Sequence, residues 1–416
     1  MGDLFQELNR REAERHPVRV GIIGAGQMGF GLAAQIPTIP GMVITGICDH
    51  TLSEAEKAKA RYLSLCRQPN EVVTSEDYRD IVNDPSVEVV IEATGRTEVG
   101  AQVSMAALLA KKHLVLLNVE VDITIGPLMK RFFDAAGLIY TGSDGDEPAA
   151  TFALYRFAQS MGMEILAIGK GKNNKVQLEA NPDSARAEAE ERHMSPVMLA
   201  SFQDGTKTMA EMTLLSNATG FVPDVVGMHG IVGDLDETVR QLDLKERGGI
   251  LNRYGIVDYV DGLAPGVFVI VKPQNQGVAD VMEYMMKEVG QDHHILYRPY
   301  HLGSLETSLT AARAVLFHDV AIAPMGSPIS ETVAVAKKEI HAGEILDEIG
   351  GFCVRGVIEE HAEQRAKGHL PIGIITGHTV AKRDIAKGTF LTAEDVDVDS
   401  TTMVSRLRGL QDALFG

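Results

Sequence analysis

This chain predicts an α/β fold that opens with a doubly wound parallel sheet, and three features carry that prediction. A β-branched run near residue 20 ends in spaced glycines; strands and helices then alternate as far as about residue 144; and a short internal echo begins near residue 331. The alternation predicts a first domain over 1–150, and the echo a small, mostly β domain over 331–416. Residues 151–330 mix apolar strands such as GVFVIVK with helices such as Val278–Val289, which reads as an α+β substrate and oligomerisation domain.

The first element is VRVGIIGAGQMGFGLAAQI, Val18 to Ile36: an apolar strand, a glycine turn and a small-residue helix. Gly24 permits the turn, Gly26 lets the backbone approach a pyrophosphate, and Gly29 lets the helix pack on the strand, with Gln27 and Met28 at the helix start. The next strand, MVITGICDH, ends in Asp49, where the acidic ribose-binding residue of a Rossmann dinucleotide site belongs. Asp49 ordinarily favours NAD(H). His50 beside it, with Arg61 or Arg67, could instead face a 2′-phosphate and admit NADP(H), so the choice stays open.

Further elements follow in turn: a helix over Leu52–Cys66, a short helix near Ser75–Asn83, and a strand over Val87–Thr94 that brings Thr94 and Gly95 to the cofactor edge. Then come a helix over Gly100–Lys111, a strand HLVLLNVEVD, a helix over Pro127–Ala136 and a strand LIYTGSD. Farther on, Asn181–His193 reads as a charged, solvated helix, and His293 and His294 as a solvated pair. The segments AVAKKEIHAGEILDEIGG and HTVAKRDIAKGTFLTAEDV are two lobes of one compact unit.

Composition limits the partners. With 39 Lys+Arg against 57 Asp+Glu the formal charge is -18, which excludes general nucleic-acid or anionic-membrane binding; a phosphorylated substrate needs a local basic cluster. The three cysteines, Cys48, Cys66 and Cys353, are widely spaced and read as structural thiols of a reducing compartment. The first seventeen residues are charged and helix-like, without the apolar stretch of a secretory signal, and no run reaches the roughly 20 apolar residues of a membrane span. The expectation is a cytoplasmic homo-oligomer acting on a small molecule.

NVEVDITIGP at Asn118–Pro127, SDGDEPAA at Ser143–Ala150, GKGKNN at Gly169–Asn174, DGTKTMAEMTLLSNATG at Asp204–Gly220 and PDVVGMHG at Pro223–Gly230 give the chain a resemblance. It resembles the homoserine dehydrogenase-like oxidoreductases with a C-terminal SAF domain, within them the branch similar in activity to 1-deoxy-D-xylulose 5-phosphate reductoisomerase. The resemblance implies NADP(H)-dependent isomerisation and reduction to 2-C-methyl-D-erythritol 4-phosphate, an isoprenoid precursor. It also implies a SAF-like β-clip at the C-terminus. Where homoserine dehydrogenases carry a lysine after the strand-end Asn, this chain reads Asn118-Val119-Glu120, which counts against homoserine.

The candidate site residues follow from their chemistry. Asp144, Asp146 and Glu147 cluster after a strand and could hold a divalent cation, Mg²⁺ or Mn²⁺, or else form a solvated acidic turn. Lys170, Lys172 and Asn173 leave a strand end as an anion and hydroxyl reader. Lys207, Glu211 and Asn217 lie on a helix that starts near Thr206 or Thr208 and could project toward the substrate, Asn217 alternatively serving as a helix-end cap, with Met209, Met212, Leu214 and Leu215 in the core. His229 is a candidate proton donor, and His301 with Glu306 a second polar group. Two other readings remain: a dehydrogenase of a hydroxy or amino acid, and a non-enzymatic dinucleotide sensor.

Overall fold

A computed structural model describes residues 3–192, 194–286 and 292–416. It divides into two compact units, each discontinuous in sequence. The first holds Met1–Asp146, Leu302–Gly326 and Thr402–Leu414; the second holds Glu147–His301, Ser327–Thr401 and the last two residues. The α/β expectation holds.

In the first unit, six parallel strands form one sheet: β1 (Val18–Ile23), β2 (Met42–Cys48), β3 (Val73–Ser75), β4 (Val89–Glu92), β5 (His113–Leu116) and β6 (Tyr140–Gly142). Their order is β3-β2-β1-β4-β5-β6, the doubly wound arrangement that reverses between β1 and β4. The helices are α1 (Leu4–Ala13), α2 (Gln27–Gln35), α3 (Leu52–Leu65), α4 (Tyr78–Val82), α5 (Thr97–Leu109) and α6 (Val119–Ala135). Val20, Ile22, Ile44 and Ile91 fill one core cluster; Val90, Leu114, Ile125 and Phe133 fill another.

Two local readings change. The β-branched run Val119–Asp122, expected to extend a strand, is the first turn of α6. Asn118 caps that turn by accepting the Val121 N–H (3.2 Å), and a cap at this point outweighs strand propensity. Helix α6 also runs through Pro127 instead of starting there. The Gln411 amide donates to Thr124 O (3.2 Å) and accepts from Leu128 N (3.1 Å), satisfying the backbone around the proline.

The second unit holds a mixed sheet in the order β12-β11-β7-β10-β8, with β9 paired to β10. Its strands are β7 (Glu164–Lys172), β8 (Val222–Pro223), β9 (Ile231–Val232), β10 (Ile256–Asp261), β11 (Val267–Lys272) and β12 (His294–Arg298). Its helices are α7 (Glu147–Ser160), α8 (Pro182–Glu191), α9 (Pro196–Gln203), α10 (Thr206–Thr219), α11 (Leu235–Gln241) and α12 (Gln276–Met285). The helix expected over Val278–Val289 thus starts two residues earlier, and its expected final residues 287–289 lie outside the described ones, as does His193. His293 and His294 are both buried, correcting the solvated-pair reading. His293 lies between Asp243 (3.3 Å) and Asp292 (2.8 Å), whose charges make its burial tolerable.

The sequence echo is structural. The region holds strands β13 (Ser330–Ala336), β14 (Ile345–Leu346), β15 (Val354–Glu360), β16 (Thr379–Ala381) and β17 (Val396–Asp397); the first copy runs from β13 past β14, the second from β16 to the start of β17, and the two pair reciprocally. Ile340 N donates to Ile385 O (3.0 Å) and Ile385 N to Ile340 O (2.8 Å). Gly343 N donates to Ala381 O (2.8 Å) and Gly388 N to Ala336 O (2.9 Å). Gly343 and Gly388 sit at φ 83° and 84°, the left-handed turn that each copy requires of its glycine. Among the described residues no helix is long and apolar enough to cross a membrane.

Candidate active site

The glycine turn of the first unit gives its three glycines different reasons to be glycine. Gly24 has φ +101°, and a Cβ there would meet Ala93 O at 2.7 Å; a Cβ on Gly29 would lie 1.9 Å from Gly24 O. Those two are required by the protein's own packing. Gly26, the N-cap of α2, has no atom within 4 Å of a built Cβ, so the surface above it is open where a pyrophosphate would approach. Gln27 and Met28 are exposed beside it. These residues fit a dinucleotide phosphate.

Asp49 is turned toward this loop. One oxygen accepts Ala25 N–H (2.8 Å); the other accepts Thr51 N–H (3.0 Å) and lies 2.9 Å from His50 Nδ1, whose side chain is exposed. At the end of β4 the buried Glu92 carboxylate accepts the Thr94 N–H (2.9 Å) and its hydroxyl, while Gly95 turns with φ 66°. Burial pushes Glu92 up to about 7. Asp144 faces the helix Gly303–Phe317: its N–H donates to Thr310 Oγ1 (2.9 Å), and a carboxylate oxygen lies 3.9 Å from Arg313. Asp146 N–H donates to Ser143 O (3.3 Å).

The second unit gathers a polar site around β7. Lys170 and Lys172 lie within the strand, not in a turn beyond it, and their two-residue spacing puts both on one face. Asn173 has left the strand and is exposed. The Lys170 ammonium donates to Glu147 Oε1 (2.8 Å), at the start of α7, and to Glu211 Oε2 of α10. His301 Nε2 lies 3.7 Å from the same Glu147 oxygen, and its Nδ1 lies 2.8 Å from Pro265 O. Lys172 donates to Phe202 O (2.9 Å).

Every residue of α10 is buried, a consequence of a helix with small, apolar and hydroxyl side chains all round. Lys207 lies one turn before Glu211 on the same side. Burial and the adjacent Glu147 charge push the Glu211 carboxyl up, with Lys170 and Lys207 pulling against them. Burial alone would push Lys170 down, but the two carboxylates overcome it and keep the ammonium charged. For Lys172 the balance goes the other way: burial, then the Lys170 charge, push it down, and Glu211, Asp204 and Asp261 pull against them without overcoming them. One ammonium between two carboxylates leaves a surplus negative charge, which a proton on Glu211 relieves.

His229 belongs to a neighbouring group. Its Nε2 lies 2.8 Å from Asp224 Oδ2, and its N–H and that of Gly230 donate to the buried Asp258 of β10 (3.0 and 2.9 Å). Strand β10 pairs with β7, setting Tyr259 opposite Lys170. Sequence reasoning missed Asp224 and Asp258. Asp224 stands in the quoted PDVVGMHG segment, and an acid within the apolar run IVDYV is itself a signal of a buried, partnered carboxylate. Asn217 is not a helix cap: Gly220 ends α10, and Asn217 Oδ1 accepts from Ile329 and Ser330.

Comparison with known proteins agrees with this layout. Residues 18–116 match the oxidoreductase family with an NAD-binding Rossmann fold, residues 145–307 the catalytic domain of oxidoreductase DRL, and residues 331–397 the SAF domain. The chain therefore carries successive regions similar to an NAD-binding Rossmann oxidoreductase domain, to the DRL catalytic domain and to a SAF domain. An inositol 2-dehydrogenase/D-chiro-inositol 3-dehydrogenase of Lactiplantibacillus plantarum is 40% identical over 101 residues, 24% of this chain and 27% of that enzyme. A homoserine dehydrogenase of Bacillus subtilis is 34% identical over 113 residues, 26% of this chain and 25% of that enzyme. The chain thus spans about a quarter of the length of these relatives. Among solved structures it is similar to a myo-inositol dehydrogenase from Corynebacterium glutamicum (TM-score 0.36, 13% identity, 62% of this chain and 65% of that one). It is also similar to a biliverdin reductase from Synechocystis in complex with biliverdin and NADP+ (TM-score 0.30, 19% identity, 39% and 49%).

Proposed function

We propose that the protein is a nicotinamide-dependent oxidoreductase that reduces a small, phosphorylated keto sugar with NADPH, the specific candidate being 1-deoxy-D-xylulose 5-phosphate. The observation that carries this reading is the Glu147–Lys170–Glu211 group, in which Lys170 and Glu211 are buried, with Lys172 on the same face of β7. When bound, the dinucleotide supplies hydride. The chain's own residues supply the rest. Lys170, fixed by two carboxylates, polarises a substrate oxygen. Glu211 holds and gives up a proton at Oε1, the oxygen with no hydrogen-bond partner among the described residues. Lys172, on the same face of β7, offers its ammonium to an anionic group of the substrate, and Asn173 and Lys207 complete the polar set. His229, oriented by Asp224, is the second proton carrier.

Support for NADP(H) comes from Asp49: its carboxylate is spent on Ala25 and Thr51, which leaves the exposed His50 beside the place of a 2′-phosphate. The matched DRL catalytic domain supports the reductoisomerase reading of the substrate. Asp144, Asp146 and Glu147 are the carboxylates proposed for Mg²⁺ or Mn²⁺.

The test follows NADPH and NADH absorbance with 1-deoxy-D-xylulose 5-phosphate, with and without these ions, beside L-homoserine and myo-inositol with NAD+ and NADP+. Oxidation of NADPH by the sugar phosphate is the expected result. Turnover of homoserine or inositol alone overturns the substrate reading, and activity unchanged by EDTA removes the cation.

A further inference from the structure

The SAF domain has a relation to the site that its small size and separate sequence motif do not suggest. Helix α10, which carries Lys207 and Glu211, is hydrogen-bonded along its length to the strands of that domain. Gly356 N of β15 donates to Thr206 Oγ1 (2.8 Å), and Thr213 Oγ1 meets Thr332 Oγ1 of β13 (2.8 Å). Ser216 donates to Ser330 Oγ (2.7 Å), and Asn217 Oδ1 accepts from the N–H groups of Ile329 (2.8 Å) and Ser330 (3.0 Å). Just before the helix, the buried Asp204 accepts Thr206 N–H (2.7 Å) and pairs with Lys337 at the end of β13 (2.5 Å).

Helical geometry sorts these residues. At 100° per residue, Thr206, Thr213, Ser216 and Asn217 fall within a sector of roughly 100°, and Lys207 and Glu211 fall on the opposite side. Apolar packing tolerates rotation and sliding of a helix, whereas buried hydroxyls and an amide leave donors or acceptors unsatisfied when the register changes. A slip of one residue turns the helix by about 100° and moves it about 1.5 Å, which takes Glu211 off Lys170. The contact is also close: a Cβ on Gly356 would lie 2.6 Å from Thr332 Cγ2 and 3.0 Å from Thr206 Cγ2.

We propose that strands β13 and β15 of the SAF domain set the rotation and register of α10, and that Thr206, Thr213, Ser216 and Asn217 are positioning residues that hold Glu211 against the Lys170 ammonium. The inference rests on the site reading above for its functional meaning. The variants Thr213→Val and Asn217→Ala are compared in the full chain with the conservative Thr213→Ser. The readout is the rate at which acetic anhydride modifies Lys170, measured by peptide mass spectrometry against the exposed Lys57. Thr213→Val and Asn217→Ala are expected to raise Lys170 modification at least fivefold relative to Lys57, and Thr213→Ser to leave it as in the wild type. Should Thr213→Val not fold, Ser216→Ala carries the same expectation at twofold or more. Wild-type protection of Lys170 in the valine and alanine variants overturns the proposal, as does equal damage by Thr213→Ser and Thr213→Val. The readout needs no turnover: a wrong substrate or an inactive site leaves it interpretable, whereas unchanged kcat in Glu211→Gln sinks the site reading and not the register.

Discussion

Glu211 bonds the Lys170 ammonium through one carboxylate oxygen and keeps the other, buried, without a hydrogen-bond partner among the described residues. An oxygen in that position is costly unless it is used. If Glu211 is the proton carrier, Glu211→Gln keeps the shape and the bond to Lys170 but holds no transferable proton. We expect kcat to fall by about 10²–10⁴, the usual contribution of general acid–base catalysis, with KM within a few-fold. Steady-state kinetics on the substrate that the absorbance test identifies check this, and wild-type kcat removes Glu211 from the mechanism.

Lys172 makes a different prediction because its shift has the opposite sign. Burial and the neighbouring Lys170 charge lower it from the ordinary value of 10.5, so it loses its proton sooner on the alkaline side than a surface lysine. A phosphorylated substrate needs the charged form. KM should therefore rise with pH below the range in which ordinary lysines titrate, and kcat should rise or fall much less. Lys172→Ala should raise KM by about 10-fold or more and flatten that dependence. A KM profile identical in Lys172→Ala and wild type would falsify the anion role.

Much of this was legible in the residues. The glycine spacing, the Asp49 position and the strand–helix alternation led to the parallel sheet because each is a local consequence of backbone geometry. The echo around Gly343 and Gly388 led to the paired lobes for the same reason. What was hidden depends on partners far away in sequence. Val119–Asp122 reads as strand until the Asn118 cap is seen. Lys170 reads as one of several anion readers beyond a strand end until Glu147 and Glu211, from two other elements, are brought to it. Asn217 reads as a cap because nothing local shows that Ile329 and Ser330 need its oxygen.

The contrast among the three glycines separates binding from folding. Gly26→Val places its side chain in open space, so stability should stay within about 1 kcal/mol of wild type, while the pyrophosphate approach is blocked. Cofactor affinity, read by fluorescence titration with NADPH, should drop by more than 10-fold. Gly29→Ala drives a Cβ into Gly24 O and should lower Tm sharply, whatever the cofactor does. Unaltered NADPH affinity in Gly26→Val would remove the dinucleotide from this turn.

Asp122 and Glu92 give the first unit an acid-side gain in stability. Both are buried, each with one oxygen lacking a hydrogen-bond partner among the described residues, although Tyr140 donates to Asp122 Oδ2 (2.9 Å). Burial lifts Asp122 from 3.8 and Glu92 from 4.5, each to about 7. Between those limits the folded chain keeps protons that the unfolded chain has released. Stability therefore falls as pH rises from about 4 to about 7 and levels off above, where both states are ionised. Asp122→Asn imitates the protonated carboxyl at every pH. It should match the wild type only at about pH 4 and below, and exceed it increasingly as pH rises, by about 2–4 kcal/mol at pH 8, with the slope from pH 5 to pH 8 reduced. Thermal melts followed by circular dichroism from pH 5 to pH 8 decide this. A wild-type chain that gains stability across that range, or a variant with the same slope, means that Asp122 is ionised in the folded protein and that the Tyr140 hydroxyl is enough to hold its charge.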